Sequence, residues 1–248
     1  MRRGLLLIDR GSREDDVRRE LGHICEKAGQ KGNYHVSSYC FLEVVPPFIE
    51  EGIASCLSSD IDELTIVPYF LYPGRKVKAA IEAASKFRSQ TGARISISKP
   101  MNMHRSLVSL VDEKIQDTLS RNGDPAQRNG VDVLLIGHGS VDPEARSALK
   151  YVADGLIPQY RKVSFCFLEI EEPTIRQGID RCAADGPDVL VVVPYFLHKG
   201  AHVKRDIHED LDPAIRDSKI RKVLISEHLG TDERMVDLVL ERAMEAEG

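Results

Sequence analysis

Apolar residues fall along this chain in short runs separated by amphipathic stretches. Runs of strand length occupy 5–8, 36–42, 64–70 and 93–97. Following each of them, apolar positions recur every three or four residues, at about 14–28, 47–57, 76–88 and 105–119. That spacing belongs to helices with one buried stripe. From residue 131 the series starts again, with strand-length runs near 131–136, 163–168, 189–195 and 222–226. Short runs rich in Val, Leu and Ile, alternating with helices, predict a parallel sheet covered on both faces.

The second series is a copy of the first. Leu5-Leu6-Leu7-Ile8-Asp9-Arg10-Gly11-Ser12 matches Val133-Leu134-Leu135-Ile136-Gly137-His138-Gly139-Ser140. Cys40-Phe41-Leu42-Glu43 recurs unchanged as Cys166-Phe167-Leu168-Glu169, and Val67-Pro68-Tyr69-Phe70-Leu71 as Val193-Pro194-Tyr195-Phe196-Leu197. Gly74 with Val77-Lys78 is matched by Gly200 with Val203-Lys204. Order and spacing agree throughout, which marks an internal duplication. A cluster of turn-forming residues at 122–130 suits a linker. The expectation is two similar α/β lobes in tandem, 1–124 and 125–248.

Composition narrows the class. The chain has 248 residues, 42% hydrophobic and 29% charged, which excludes a disordered or fibrous protein. Its 34 basic and 39 acidic side chains give a net charge of -5 with no basic stripe, so nucleic acid is not an expected partner. No apolar run approaches the roughly 20 residues of a membrane span. The N-terminus leads straight into a strand pattern and lacks the form of a secretory leader, so the expected location is the cytoplasm. The five cysteines, Cys25, Cys40, Cys56, Cys166 and Cys182, form no CxxC, and they read as buried thiols rather than as disulfides or zinc ligands.

Candidate chemistry lies where the copies differ. Ligands of open parallel sheets bind beyond the carboxyl ends of the strands. In the second half His138 follows the first strand, Glu169 closes the second, and His202 comes shortly after the third. Two imidazoles and a carboxylate can hold a divalent metal loosely or accept protons near neutral pH. The first half keeps Glu43 but has Arg10 in place of His138 and Lys76 in place of His202. Both replacements stay protonated at pH 7 and cannot ligate. One working site, in the second half, is therefore expected. Ser12 and Ser140 lack the Gly-x-Ser-x-Gly elbow of a nucleophile, and their hydroxyls read as turn stabilisers.

The ordered set Gly137-His138-Gly139-Ser140, Phe167-Leu168-Glu169, Val193-Pro194-Tyr195-Phe196-Leu197 and Gly200-Ala201-His202-Val203 resembles the sirohydrochlorin chelatase family, over nearly the whole chain. Those enzymes place a divalent metal in a tetrapyrrole without ATP. The resemblance implies two flavodoxin-like lobes with a cleft between them, a degenerate first lobe, and His138, Glu169 and His202 as both catalytic and metal-presenting residues. It further implies no tightly bound cofactor: iron, cobalt or nickel enters as a substrate, beside the polycarboxylate macrocycle. One departure is that many two-lobed members carry the histidines in the first lobe. Arg10, Lys76, Ser140 and Lys204 are the candidate contacts to the macrocycle, the cations as clamps for its carboxylates. The alternative that the same residues allow is a non-catalytic protein that binds or delivers tetrapyrrole or metal.

Overall fold

The computed structural model describes the whole chain apart from Pro73, Gln90, residues 124–127 and Lys199, and for residues 129 and 201–208 it describes the backbone alone. The first repeat runs β1 (Arg3–Asp9), α1 (Asp15–Lys31), β2 (Val36–Phe41), α2 (Ile49–Leu57), β3 (Glu63–Pro68), α3 (Arg75–Ser85), β4 (Arg94–Ile97) and α4 (Arg105–Arg121). After a 3-10 turn at Arg128–Gly130, the second runs β5 (Val131–Gly137), α5 (Pro143–Leu156), β6 (Lys162–Phe167), α6 (Ile175–Asp185), β7 (Val189–Pro194), α7 (Ala201–Asp217), β8 (Val223–Ile225) and α8 (Glu233–Glu247). Each repeat forms its own four-stranded parallel sheet, in the orders β2-β1-β3-β4 and β6-β5-β7-β8. The predicted α/β class with parallel sheets is what forms.

The central strands are buried on both faces, which explains their unbroken apolar runs. Leu5 to Ile8 and Val133 to Ile136 are all fully buried. On one face, Leu6, Ile8, Cys40, Ile53, Cys56 and Leu64 make a core that recurs as Leu134, Ile136, Cys166, Ile179, Cys182 and Leu190. The five cysteines are free and buried. Burial pushes the Cys56 thiol up to about 11 and that of Cys25 up to about 12, so they pack as small apolar groups. Local sequence sets the helix ends. Thr174 and Gln177 cap α6 reciprocally, and Asp142 with Pro143 starts α5.

The compact units do not follow the linear cut expected at 124/125. Unit 1 is Met1–Asn102 together with Thr231–Gly248, and unit 2 is Met103–Gly230. Thus α8 packs on α1, β3 and β4, while α4 packs on α5, β7 and β8. The last helix of each repeat covers the sheet of the other repeat. Ion pairs fix the choice within unit 1: Arg3 Nη1 lies 2.7 Å from Glu247, and Lys31 Nζ lies 2.5 Å from Asp237. Tyr34 and Thr65 hydroxyls also donate to Glu247, each at 2.7 Å.

Candidate metal-presenting site

The strand ladder itself brings His138 and Glu169 together. Parallel pairing of β5 with β6 continues past both strand ends, where Leu168 N–H donates to Gly137 O at 2.9 Å and Glu169 N–H to His138 O at 3.0 Å. Gly139 makes that approach possible. Its φ is +95°, and a Cβ there would lie 1.9 Å from Glu169 O. Any side chain would force the two loops apart. With the loops in register, His138 Nδ1 lies 3.1 Å from Glu169 Oε1. Nδ1 is enclosed and makes no well-aligned hydrogen bond, yet the side chain as a whole is 39% exposed. Nε2 is thus the nitrogen left for a ligand. The Phe196 ring meets the imidazole edge-on, with centroids 6.5 Å apart.

Unit 1 shows all three equivalent side chains. The same ladder extension joins Leu42 N–H to Asp9 O and Glu43 N–H to Arg10 O, and Gly11 has φ +99° against Glu43 O. Here the third position is visible as well. Lys76 Nζ lies 2.5 Å from one carboxylate oxygen of Glu43, and Arg10 Nε lies 2.9 Å from the other. Lys76 and Arg10 together hold the Glu43 carboxyl below the usual carboxylate range, because both donate to its ionised form. The fold therefore converges the residues after its first, second and third strands on one point.

The side chains of His202 and Lys204 lie outside the described residues; their backbone opens α7. Among the described residues no three His, Cys, Asp or Glu side chains gather as a metal cluster. Ser140 behaves as the turn residue its sequence context predicts: its hydroxyl accepts Asp142 N–H at 3.0 Å, as Ser12 accepts Glu14 N–H at 3.1 Å. Arg10 and Lys76 are both exposed and both engaged by Glu43.

Sequence reasoning passed over Arg18 and Arg146. Arg146 lies over the Phe167 ring, 4.8 Å from its centroid, and donates to Glu172 O; Arg18 lies over Phe41 at 5.6 Å and donates to Pro46 O at 2.8 Å. Each braces the loop that follows Glu43 or Glu169 in its repeat. Their identical offset in the two repeats was the available signal.

The CbiX family model matches residues 4–118 and again 132–246, the two repeats in turn. The chain belongs to the CbiX family. Among curated relatives, a sirohydrochlorin ferrochelatase of Priestia megaterium is 24% identical over 230 residues, covering 91% of this chain and 84% of that protein. A sirohydrochlorin cobaltochelatase of the same organism is 27% identical over 170 residues, with 67% of this chain and 55% of that longer protein covered. A sirohydrochlorin cobaltochelatase of Methanopyrus kandleri, 32% identical, is matched over 98% of its length by 48% of this chain, which is what a single-repeat relative gives. Among solved structures, the fold is similar to that of SirB from Bacillus subtilis with Fe3+, at a TM-score of 0.84 and 24% identity over 99% of this chain and 96% of that one.

Proposed function

We propose that this CbiX-family chain is a sirohydrochlorin metal chelatase that inserts a divalent ion, iron or cobalt, into its tetrapyrrole without ATP, with unit 2 as the working unit. The observation that carries the reading is the His138–Glu169 pair, 3.1 Å apart at the carboxyl ends of β5 and β6. The unit 1 cluster supports His202 as the third member, since Lys76 reaches Glu43 from the matching position.

Metal insertion exchanges one dication for the two protons on the inner nitrogens of the macrocycle. The site must present an ion weakly and take up protons. Glu169 orients the imidazole through Nδ1, leaving His138 Nε2 to face the ion. Three donors with open positions release a metal more readily than a closed cage of thiolates. As the ring nitrogens close on the ion, the freed imidazoles and Glu169 are the bases at hand. Arg10, Lys76 and Lys204 are proposed carboxylate contacts. In unit 1 the Arg10–Glu43–Lys76 cluster keeps one net positive charge after its internal pairing, which suits an acidic substrate. The reaction needs no resident cofactor or nucleic acid, and among the described residues no helix is long and apolar enough to cross a membrane; the proposed setting is the cytoplasm.

The test is an absorbance assay with sirohydrochlorin and Fe2+ or Co2+. The wild type should give a metal-dependent spectral change, and His138→Ala or His202→Ala should lower the rate at least tenfold. Tetrapyrrole binding with no such change in the wild type would replace the enzyme by a delivery protein. Substituting Arg10 and Lys76 together by Gln should raise KM for the macrocycle and leave kcat alone; unchanged kinetics would remove them from the binding surface.

A further inference from the structure

Glu171 is used by nothing in the mechanism above, yet its carboxylate is far more enclosed than that of Glu169 beside it. Its side chain is 14% exposed. One oxygen accepts the Ser140 backbone N–H at 2.9 Å and the other accepts Arg146 Nε at 2.8 Å. Ser140 sits two residues past His138, and Glu171 two residues past Glu169. The carboxylate therefore stitches the His138 loop to the Glu169 loop from the far side of Gly139, and anchors the stitch to α5 through Arg146. Its own N–H donates to Glu169 O at 2.7 Å, the oxygen that Gly139 packs against.

The other repeat supplies the contrast. Arg18 keeps the place of Arg146, with the same stacking and the same carbonyl contact, but Val45 stands where Glu171 does. The carboxylate is present in the repeat that has imidazoles and absent from the repeat that has lost them. Physical need runs the same way. In unit 1 two cations tie Glu43 directly to Arg10 and Lys76. In unit 2 the described side-chain link between His138 and Glu169 is a single contact of poor alignment, made by side chains 39% and 57% exposed. A site that gives up its ion at every turnover needs something else to hold its donors in place between ions.

We propose that Glu171 is a positioning residue for metal presentation: it holds the His138 backbone loop against the Glu169 loop, so that the Glu169 carboxylate stays 3.1 Å from His138 Nδ1 and Nε2 keeps its aim when no ion is bound. This rests on the proposed chelatase reading, and the experiment separates the two. Cobaltous ion is titrated into the full-length wild type, His138→Ala, Glu171→Val (the residue unit 1 carries) and Glu171→Gln, with exchange of the Ser140 amide hydrogen followed in each. Saturable binding by the wild type that His138→Ala abolishes establishes the site. Against that background, Glu171→Val should weaken Co2+ binding by roughly 10–100-fold and speed Ser140 exchange, raising KM for the metal more than that for the macrocycle. Glu171→Gln, which keeps an acceptor for Ser140, should recover most of the affinity. Equal affinity in Glu171→Val and wild type, or a loss that Glu171→Gln does not relieve, overturns the role of Glu171 while leaving the site standing. Absence of His138-dependent binding in the wild type overturns the functional reading and the inference with it.

Discussion

At the scale of single residues, Glu43 and Glu169 are the same position in two environments. Arg10 and Lys76 give Glu43 a fixed complement of charge, equal in sign and size to what a dication with two neutral imidazoles would give Glu169 in the proposed site. Replacing both cations, Arg10→His with Lys76→His, should therefore create a second metal site, and calorimetric stoichiometry for Co2+ should rise from one to two per chain. Glu43 also links this cluster to pH. Its carboxyl is depressed in the folded state by Lys76 and Arg10, so the stabilisation is fully present above the unfolded value of about 4.3 and is lost as pH falls through the lower folded value. The group is largely solvated, so the effect is under about 1 kcal/mol. It should show as a flatter acid limb of the urea midpoint in Glu43→Gln. Gly139→Ala belongs here too. A left-handed backbone costs a non-glycine residue about 1–2 kcal/mol, and the contact with Glu169 O adds to it. Loss of cobalt binding with most of the helical circular dichroism retained is the expected result.

At the scale of elements, periodicity located the strands closely. The run at 36–42 is β2, Val36–Phe41, and the run at 189–195 is β7, Val189–Pro194. These strands are legible because burial on both faces leaves no polar interruption. Duplication then put His138 and Glu169 on neighbouring strand ends, which the structure bears out. Two features were not legible. Val44 and Ile170, β-branched and exposed, take positive φ beyond the strand ends, where local preference favours glycine or asparagine. Glu171 was not singled out from the sequence, because nothing in its neighbours' sequence announces Ser140 N–H as its partner. The equivalence of the two cores carries its own prediction. Ile53→Ala and Ile179→Ala, at matching buried positions on α2 and α6, should each cost about 2–5 kcal/mol, read as lowered denaturation midpoints of units 1 and 2 respectively.

At the scale of the whole molecule, the repeat and the folding unit are different objects. The repeat is linear, as the two matched stretches show, whereas each compact unit borrows its final helix from the other repeat. Pattern alone could not reveal this. The stripe of α4 (Leu107, Leu110, Val111, Ile115, Leu119) and that of α8 (Met235, Val236, Leu238, Val239) are both apolar at helical spacing, so the pattern assigns neither to a particular sheet. Charged partners such as Lys31 with Asp237 make the distinction, and they are far apart in sequence. Dissection tests it. A fragment of residues 103–230 should melt cooperatively, whereas 125–248 should not. The buried α4 side chains that the second fragment lacks contribute about 1.5–3 kcal/mol each, together comparable to the roughly 5–15 kcal/mol net stability of a domain.

That exchange of helices also sets an order of events on the ribosome. Every residue of the second sheet and its covering helices has been translated once Gly230 emerges, while the first sheet still waits for 231–248. The half translated earliest is the last to close, and until then its uncovered strands depend on whatever shelters a nascent chain.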